Sequence, residues 1–403
     1  MGTGSLQGLK VVDLSRVLAG PLCTQMLADH GASVVKIEPP SGDETRGLGP
    51  PFDAAGNAAY YQALNRGKRS ISLDLSKPEA QQVLHRLLEN ADILVENFLP
   101  GTMERWGIGY EQTLAARYPR LVYCAVSGFG GDGPLGGLPG YDAVLQALCG
   151  LMSINGDQAS GATKMGIPIV DHLTGYVALT GILMALQARQ RTGQGQRVEA
   201  TLYDTAMSLL LPHASNYFAS SQSPQLLGSA HPNIAPYDKF RARDGDLFLG
   251  IVNDAQFRRF CGVLGLEDLP DDPRFASNSQ RVTHRADLRQ RIEGAIADRD
   301  SGPLCELLMR AGVPAGAVNS LPAALAHPHC EHRQLLVRRG GYTGLRAPMR
   351  LLGTPGEPGR SPPVFAQDGI DVLMELGYPP DDIESLVASG ATKVPSDRHH
   401  SSQ

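Results

Sequence analysis

The chain has 403 residues, 42% hydrophobic and 19% charged, an ordinary globular composition with length for more than one core. Its net charge of -5, with Lys and Arg scattered rather than striped, excludes the basic field that draws in nucleic acid. The first residues lack a basic n-region, and no run reads as long enough to span a bilayer, so a cytoplasmic enzyme with no membrane partner is expected. Six cysteines, at 23, 124, 149, 261, 305 and 330, lie far apart without a CxxC pair, which predicts reduced, buried thiols.

In chain order, Gly8 to Leu14 reads as a strand, Ala19 to Leu27 as a helix, and Ser33 to Glu38 as a second strand ended by Pro39-Pro40. Ser70 to Leu75, Asp92 to Glu96 and Leu121 to Ser127 read as further strands, with Pro78 to Asn90 a helix between them. This βαβ succession predicts an α/β fold with a doubly wound sheet, whose ligands bind beyond the carboxyl ends of the strands. Those ends carry the stretches Ser15 to Pro21, Asn97 to Gly101 and Gly128 to Pro134. None is a G-x-G-x-x-G or Walker A sequence, so nicotinamide and nucleoside-triphosphate readings have no support. Arg16, Lys68, Arg69 and Arg105 lie at or near these loops, where each is either a cation that meets the phosphates of another nucleotide or, more simply, a solvated surface charge.

Gly140 to Gly150 begins a helix with small residues on one face. The apolar run 165–170 then reads as an extended segment that delivers Asp171 to the mouth of a helix over Leu173–Gln187. The residues alone leave two roles open for Asp171, a reactive carboxylate or a plain N-cap.

Taken in order and spacing, residues 6–21 (LQGLKVVDLSRVLAGP), 29–38 (DHGASVVKIE), 67–75 (GKRSISLDL), 95–101 (VENFLPG), 140–150 and 168–175 resemble the family III CoA-transferases. This CaiB/BaiF family includes formyl-CoA and carnitine CoA-transferases and α-methylacyl-CoA racemases. The resemblance implies that Asp171 is the nucleophile and that CoA is a substrate, with no permanently bound cofactor and no metal. It assigns CoA contacts to Arg16, Val17, Leu18, Ala19, Leu73, Asn97, Phe98, Arg105 and Tyr141. Pro39 departs from the pattern, standing where some relatives place a phosphate-binding arginine. Racemases of the family use a histidine where this chain has Tyr141, which favours transfer of CoA from an acyl-CoA to a carboxylic acid; racemization is the alternative. A CoA-binding subunit without turnover is a third class, whose signature would be loss of the aspartate.

The resemblance also implies a large Rossmann-like domain over 1–210, a linker 211–228, a small α+β domain 229–325, and a return 326–403 with a disordered tail from about 392. Two such ring-shaped chains would interlock as a homodimer, and the small domain shows no evident core of its own in the sequence. Within it, Leu247 to Val252 reads as a strand, and Gln256 to Leu264 and Arg285 to Ala297 as helices; Gly369 to Leu376 reads as the final helix. His231, Pro232 and Asn233 fall where relatives have a mobile substrate loop, and are either acid-binding or simply a turn. The expected exchange is between small dicarboxylates such as succinyl-CoA and another dicarboxylic acid.

Overall fold

A computed structural model describes residues 4–395 except Ala55. The chain divides into two compact units, residues 1–149, 166–209 and 331–403 forming the first and residues 150–165 and 210–330 the second.

The first unit is built on a six-stranded parallel sheet: β1 (Lys10–Asp13), β2 (Ser33–Glu38), β3 (Lys68–Ser72), β4 (Ile93–Glu96), β5 (Val122–Ser127) and β6 (Arg197–Thr201). Its order is β3-β2-β1-β4-β5-β6, with every pairing parallel. This is the doubly wound arrangement, and its strand order reverses between β1 and β4. β2 has the bounds expected from the sequence. β6 was not expected, because Arg197 and Glu199 break its apolar pattern; the strand lies at the sheet edge and pairs Arg197 with Glu111 at 3.0 Å.

Helices α1 (Ala19–Asp29), α2 (Ala59–Leu64), α3 (Pro78–Leu88), α4 (Asp142–Leu148) and α5 (Ile169–Thr192) belong to this unit. α5 corrects the reading that no run could span a bilayer, since it is long and apolar enough by length and composition. Its composition has a packing cause: it lies against α1, β5 and β6, with Val170, Ala178, Leu179, Ile182 and Ala185 buried. Gly175 permits that approach to α1, because a Cβ there would sit 2.9 Å from the carbonyl oxygen of Ala19.

The final helix is Pro380–Ala388, beyond the one at Gly369–Glu375 that the sequence offered as last. Thr392, at the start of the expected disordered tail, is 1% exposed, and residues 396–403 of that tail lie outside the described residues.

The second unit carries an antiparallel sheet of Ala315–Ala317, Asp246–Gly250 and Tyr237–Arg241 with helices Asp254–Leu264, Arg285–Ile296 and Ser301–Arg310. It has its own apolar core, including Phe240, Leu247, Phe257, Phe260, Phe275 and Ile292, which corrects the expectation that this region lacks one. The core escaped the sequence reading because it is assembled from short elements, several of them bounded by polar turns. All six cysteines are free and buried.

Candidate active site

The carboxyl end of β1 is anchored from beneath by charge. Asp13 and Lys68 pair at 3.0 Å with both side chains fully buried. Lys68 also donates to the carbonyl of Pro21 (2.9 Å) and Lys36 to that of Ser15 (2.8 Å). Asp13 in turn accepts from the amide of Ser15 (3.0 Å) and from the hydroxyls of Ser15 and Thr24. Burial alone would raise the Asp13 carboxyl, but Lys68, Lys36 and the two hydroxyls outweigh it and leave it lowered to about 2. Burial pushes Lys68 down to about 8. These contacts correct the sequence reading of two cations, because Lys68 is consumed by Asp13 and Arg69 by Glu375 at 2.7 Å. Neither is left over for phosphate.

Above this base the chain turns through Val17 at φ 67°, a region that β-branched residues avoid. The Asn97 amide holds the turn across the gap between β1 and β4: its oxygen accepts from the Arg16 amide (2.8 Å) and its nitrogen donates to the Arg16 carbonyl (2.7 Å). Asn97 therefore shapes the loop rather than standing free for a ligand. The neighbouring Glu96 braces the same loop, accepting from the Phe98 amide (2.7 Å) and the Tyr123 hydroxyl (3.0 Å). Burial pushes Glu96 up to about 7 despite those two donors.

Asp171 sits inside the first turn of α5, not at the end of a strand and not at the N-cap, where Pro168 stands. Pro and β-branched residues at 167–170 gave the segment an extended look, yet proline fits a helix start because no amide is needed from it. The cap is supplied from a distance. Oδ2 of Asp142 accepts the amides of Val170 (2.7 Å) and Asp171 (3.1 Å), while Oδ1 accepts from Gln146 (2.6 Å). With the positive end of the helix already satisfied, the Asp171 carboxylate accepts no hydrogen bond among the described residues. Burial and the Asp142 charge push Asp171 up to about 7.

A cavity of about 240 Å³ opens here, walled by Arg16 to Ala19, Asn97, Phe98, Tyr141 and Asp171. Tyr141 reaches it because Gly128 and Gly140 cross closely; a Cβ on Gly128 would lie 2.9 Å from the Gly140 Cα. A second cavity, of about 310 Å³, is walled by Ile37, Pro39, Leu73, Phe98 and Trp106. Arg16, Phe98 and Leu99 line both. The Arg16 guanidinium lies 5.5 Å from the Phe98 ring centroid and 3.3 Å from Glu44, and its buried Nε has no hydrogen-bond partner among the described residues. Arg105 is exposed and donates to Thr102 (2.7 Å), which lines the second cavity.

The first unit thus places Asp171 and eight of the nine residues assigned to CoA in the walls of two adjoining cavities, while Arg105 lines neither and only donates to Thr102 in the wall of the second. His172 turns away: its Nδ1 is 2.9 Å from the Pro168 carbonyl, and its ring lines a separate cavity with Tyr176 and Tyr342. His231, Pro232 and Asn233 belong to the second unit, where Asn233 exchanges hydrogen bonds with Asn216 and Arg285 donates to the His231 carbonyl at 2.7 Å. Sequence reasoning missed Tyr60 on α2. Burial first, and then the nearby charges of Asp171 and Asp142, push its phenol up to about 12; no local motif marked it.

The family model for CoA-transferase family III matches residues 6–369. The chain belongs to that family. Among the relatives of this CoA-transferase, the succinate–glutarate CoA-transferase of Agrobacterium fabrum is 39% identical over 92% of the chain and 95% of the relative. The succinyl-CoA:mesaconate CoA-transferase of Haloarcula hispanica is 36% identical over 98% and 100%. Among solved structures, a CaiB/BaiF family protein from Brucella suis superposes with a TM-score of 0.83 at 39% identity, covering 93% of this chain and all of that one.

The raised Asp171 carboxyl has a consequence for stability. A folded-state value near 7 against the ordinary value of 3.8 means that the folded protein holds a proton the unfolded chain would release. Stability is therefore fully present below about pH 4 and lost as pH rises through about 7. Asp171→Asn removes that penalty: it should stabilise the protein by roughly 1–3 kcal/mol at pH 8, with the gain vanishing towards pH 4. Urea unfolding of both proteins across this range reads the difference, and a gain independent of pH would contradict the assignment.

Proposed function

We propose that this CoA-transferase moves coenzyme A between small dicarboxylates, with Asp171 as covalent nucleophile. The observation that carries the reading is the placement of Asp171: a carboxylate with no hydrogen-bond donor among the described residues, in the wall of the cavity shared with Arg16, Asn97, Phe98 and Tyr141. A raised pKa makes it a stronger nucleophile once ionised.

In the proposed cycle the Asp171 carboxylate attacks the donor thioester carbonyl. The C–S bond breaks, and CoA leaves as thiolate from an aspartyl-acyl anhydride. The thiolate attacks the aspartyl carbonyl, which releases the donor acid and forms an aspartyl-CoA thioester. The acceptor carboxylate then attacks that carbonyl, expelling thiolate and forming a second anhydride. Attack of the thiolate on the acceptor acyl carbon gives the new thioester and regenerates Asp171. The thioester is exchanged rather than hydrolysed, so the steps require water to be kept out. The thioester end of CoA lies in the cavity of Asp171 and its adenosine end in the cavity of Leu73 and Trp106. The unpaired Arg16 Nε, between the two, meets phosphate.

Dicarboxylate substrates are supported by the names of the relatives, which act on succinate with glutarate or mesaconate. The His231–Asn233 turn is included as the acid-binding segment, its donors suiting a distal carboxylate. Racemization is disfavoured by Tyr141, since a phenol is a weak base for an α-proton at neutral pH.

The active form is proposed to be the interlocked homodimer that the family resemblance implies. Large apolar side chains left in water support it, among them Met184 at 68% and Phe218 at 80% exposure. Light scattering at micromolar concentration should give twice the chain mass; a monomer stable at that concentration would remove the dimer from the proposal.

The test of the chemistry is a mass-spectrometric panel of acyl-CoA donors against carboxylic acids. Succinyl-CoA with a C5 dicarboxylic acid should give CoA transfer, and Asp171→Asn should lose it by about four orders of magnitude or more, as expected for a missing nucleophile. Substantial transfer by the variant would sink the mechanism, and transfer only to monocarboxylates would sink the substrate class.

A further inference from the structure

The cavity walled by Leu73 and Trp106 is short of positive charge for a ligand as anionic as CoA, which carries a diphosphate and a separate 3′-phosphate. Arg16 is the cation in its wall, and Glu44 at 3.3 Å offsets some of that charge. Arg105 donates to Thr102 in that wall but does not itself line the cavity. On the opposite side β2 ends in Pro39-Pro40, which have no backbone N–H to offer an anion.

The C-terminal segment arrives at this gap. The Ala391 carbonyl accepts the amide of Asp74 at 2.9 Å, and the Thr392 hydroxyl donates to the Ser72 carbonyl at 2.5 Å. Asp74 and Pro39 both line the cavity. With Thr392 buried, the next residue has little choice of place. Lys393 is exposed, and its Nζ donates to the Pro40 carbonyl at 2.7 Å; the other two ammonium protons have no partner among the described residues. Lys77, the other lysine near this edge, is turned away to the carbonyl of Ser389.

We propose that Lys393 pairs with the 3′-phosphate of CoA, its ammonium fixed at the cavity rim by the packed segment Ala391–Thr392. The inference rests on the CoA-transferase reading of the two cavities. It gives the polar C-terminal stretch a role in recognising the nucleotide end of the substrate, on the side where Pro39 leaves the phosphate without a donor.

Calorimetry with the full-length protein tests it, using CoA and 3′-dephospho-CoA against wild type, Lys393→Gln and Lys393→Arg. Lys393→Gln should weaken CoA about fivefold, the scale of a pair at the surface, and leave 3′-dephospho-CoA unchanged; Lys393→Arg should bind CoA as wild type does. Unchanged CoA affinity in Lys393→Gln, or equal weakening of both ligands, would overturn the proposal. Failure of the underlying reading looks different, because wild type would then bind neither ligand.

Discussion

The site depends first on the buried ion pair between Asp13 and Lys68. Removing one partner of a fully desolvated pair leaves the other charge stranded, at a cost of about 3–5 kcal/mol. Here the pair does more than balance charge, because its two members also hold the chain on either side of the strained Val17 turn. Lys36 adds a third point, its ammonium bonded to the Ser15 carbonyl and paired with Asp43 at 2.9 Å. The turn in the cavity wall is thus fixed from below by buried groups that do not line the cavity.

The second constraint is the way a carboxylate is kept out of the cap at a helix start. Left to itself, the first turn of α5 would draw in any nearby anion. Asp142 occupies those amides, so Asp171 is not the cap, and among the described residues it has no ion-pair partner. The same arrangement brings two carboxyl groups together, and the repulsion adds to burial in raising Asp171. The cost in stability falls on a carboxylate in the cavity wall, and violations of local rules are expected at functional sites.

Much of the sheet was legible because parallel strands buried on both faces read as short β-branched runs. Ser33–Glu38 has the expected bounds at both ends, and β1, β4 and β5 are each within a residue or two of theirs. Edge strand β6 was hidden by its charges. At the site, the sequence and its family likeness pointed to the residues that the first unit gathers around two cavities, yet local reading misplaced Asp171 on an extended segment. The deciding partner, Asp142, lies 29 residues away. The same blindness to distance explains Lys68 and Arg69, whose partners are 55 and 306 residues along the chain. Tyr60 and Lys393 carried no motif, and only the folded chain brings Tyr60 within reach of the Asp171 charge and Lys393 onto the Pro40 carbonyl.

The central claim, that Asp171 itself carries the acyl group and then CoA, predicts where an oxygen atom must go. In the proposed exchange the acceptor carboxylate attacks the aspartyl-CoA thioester, and the second anhydride opens with its bridging oxygen left on the aspartate. Turnover with an acceptor acid labelled in its carboxylate with heavy oxygen should therefore place that label in the Asp171 side chain, read by peptide mass spectrometry. Label found in the peptide holding Asp171, only after turnover with donor present, is the predicted result; productive turnover that leaves this peptide unlabelled would contradict the account.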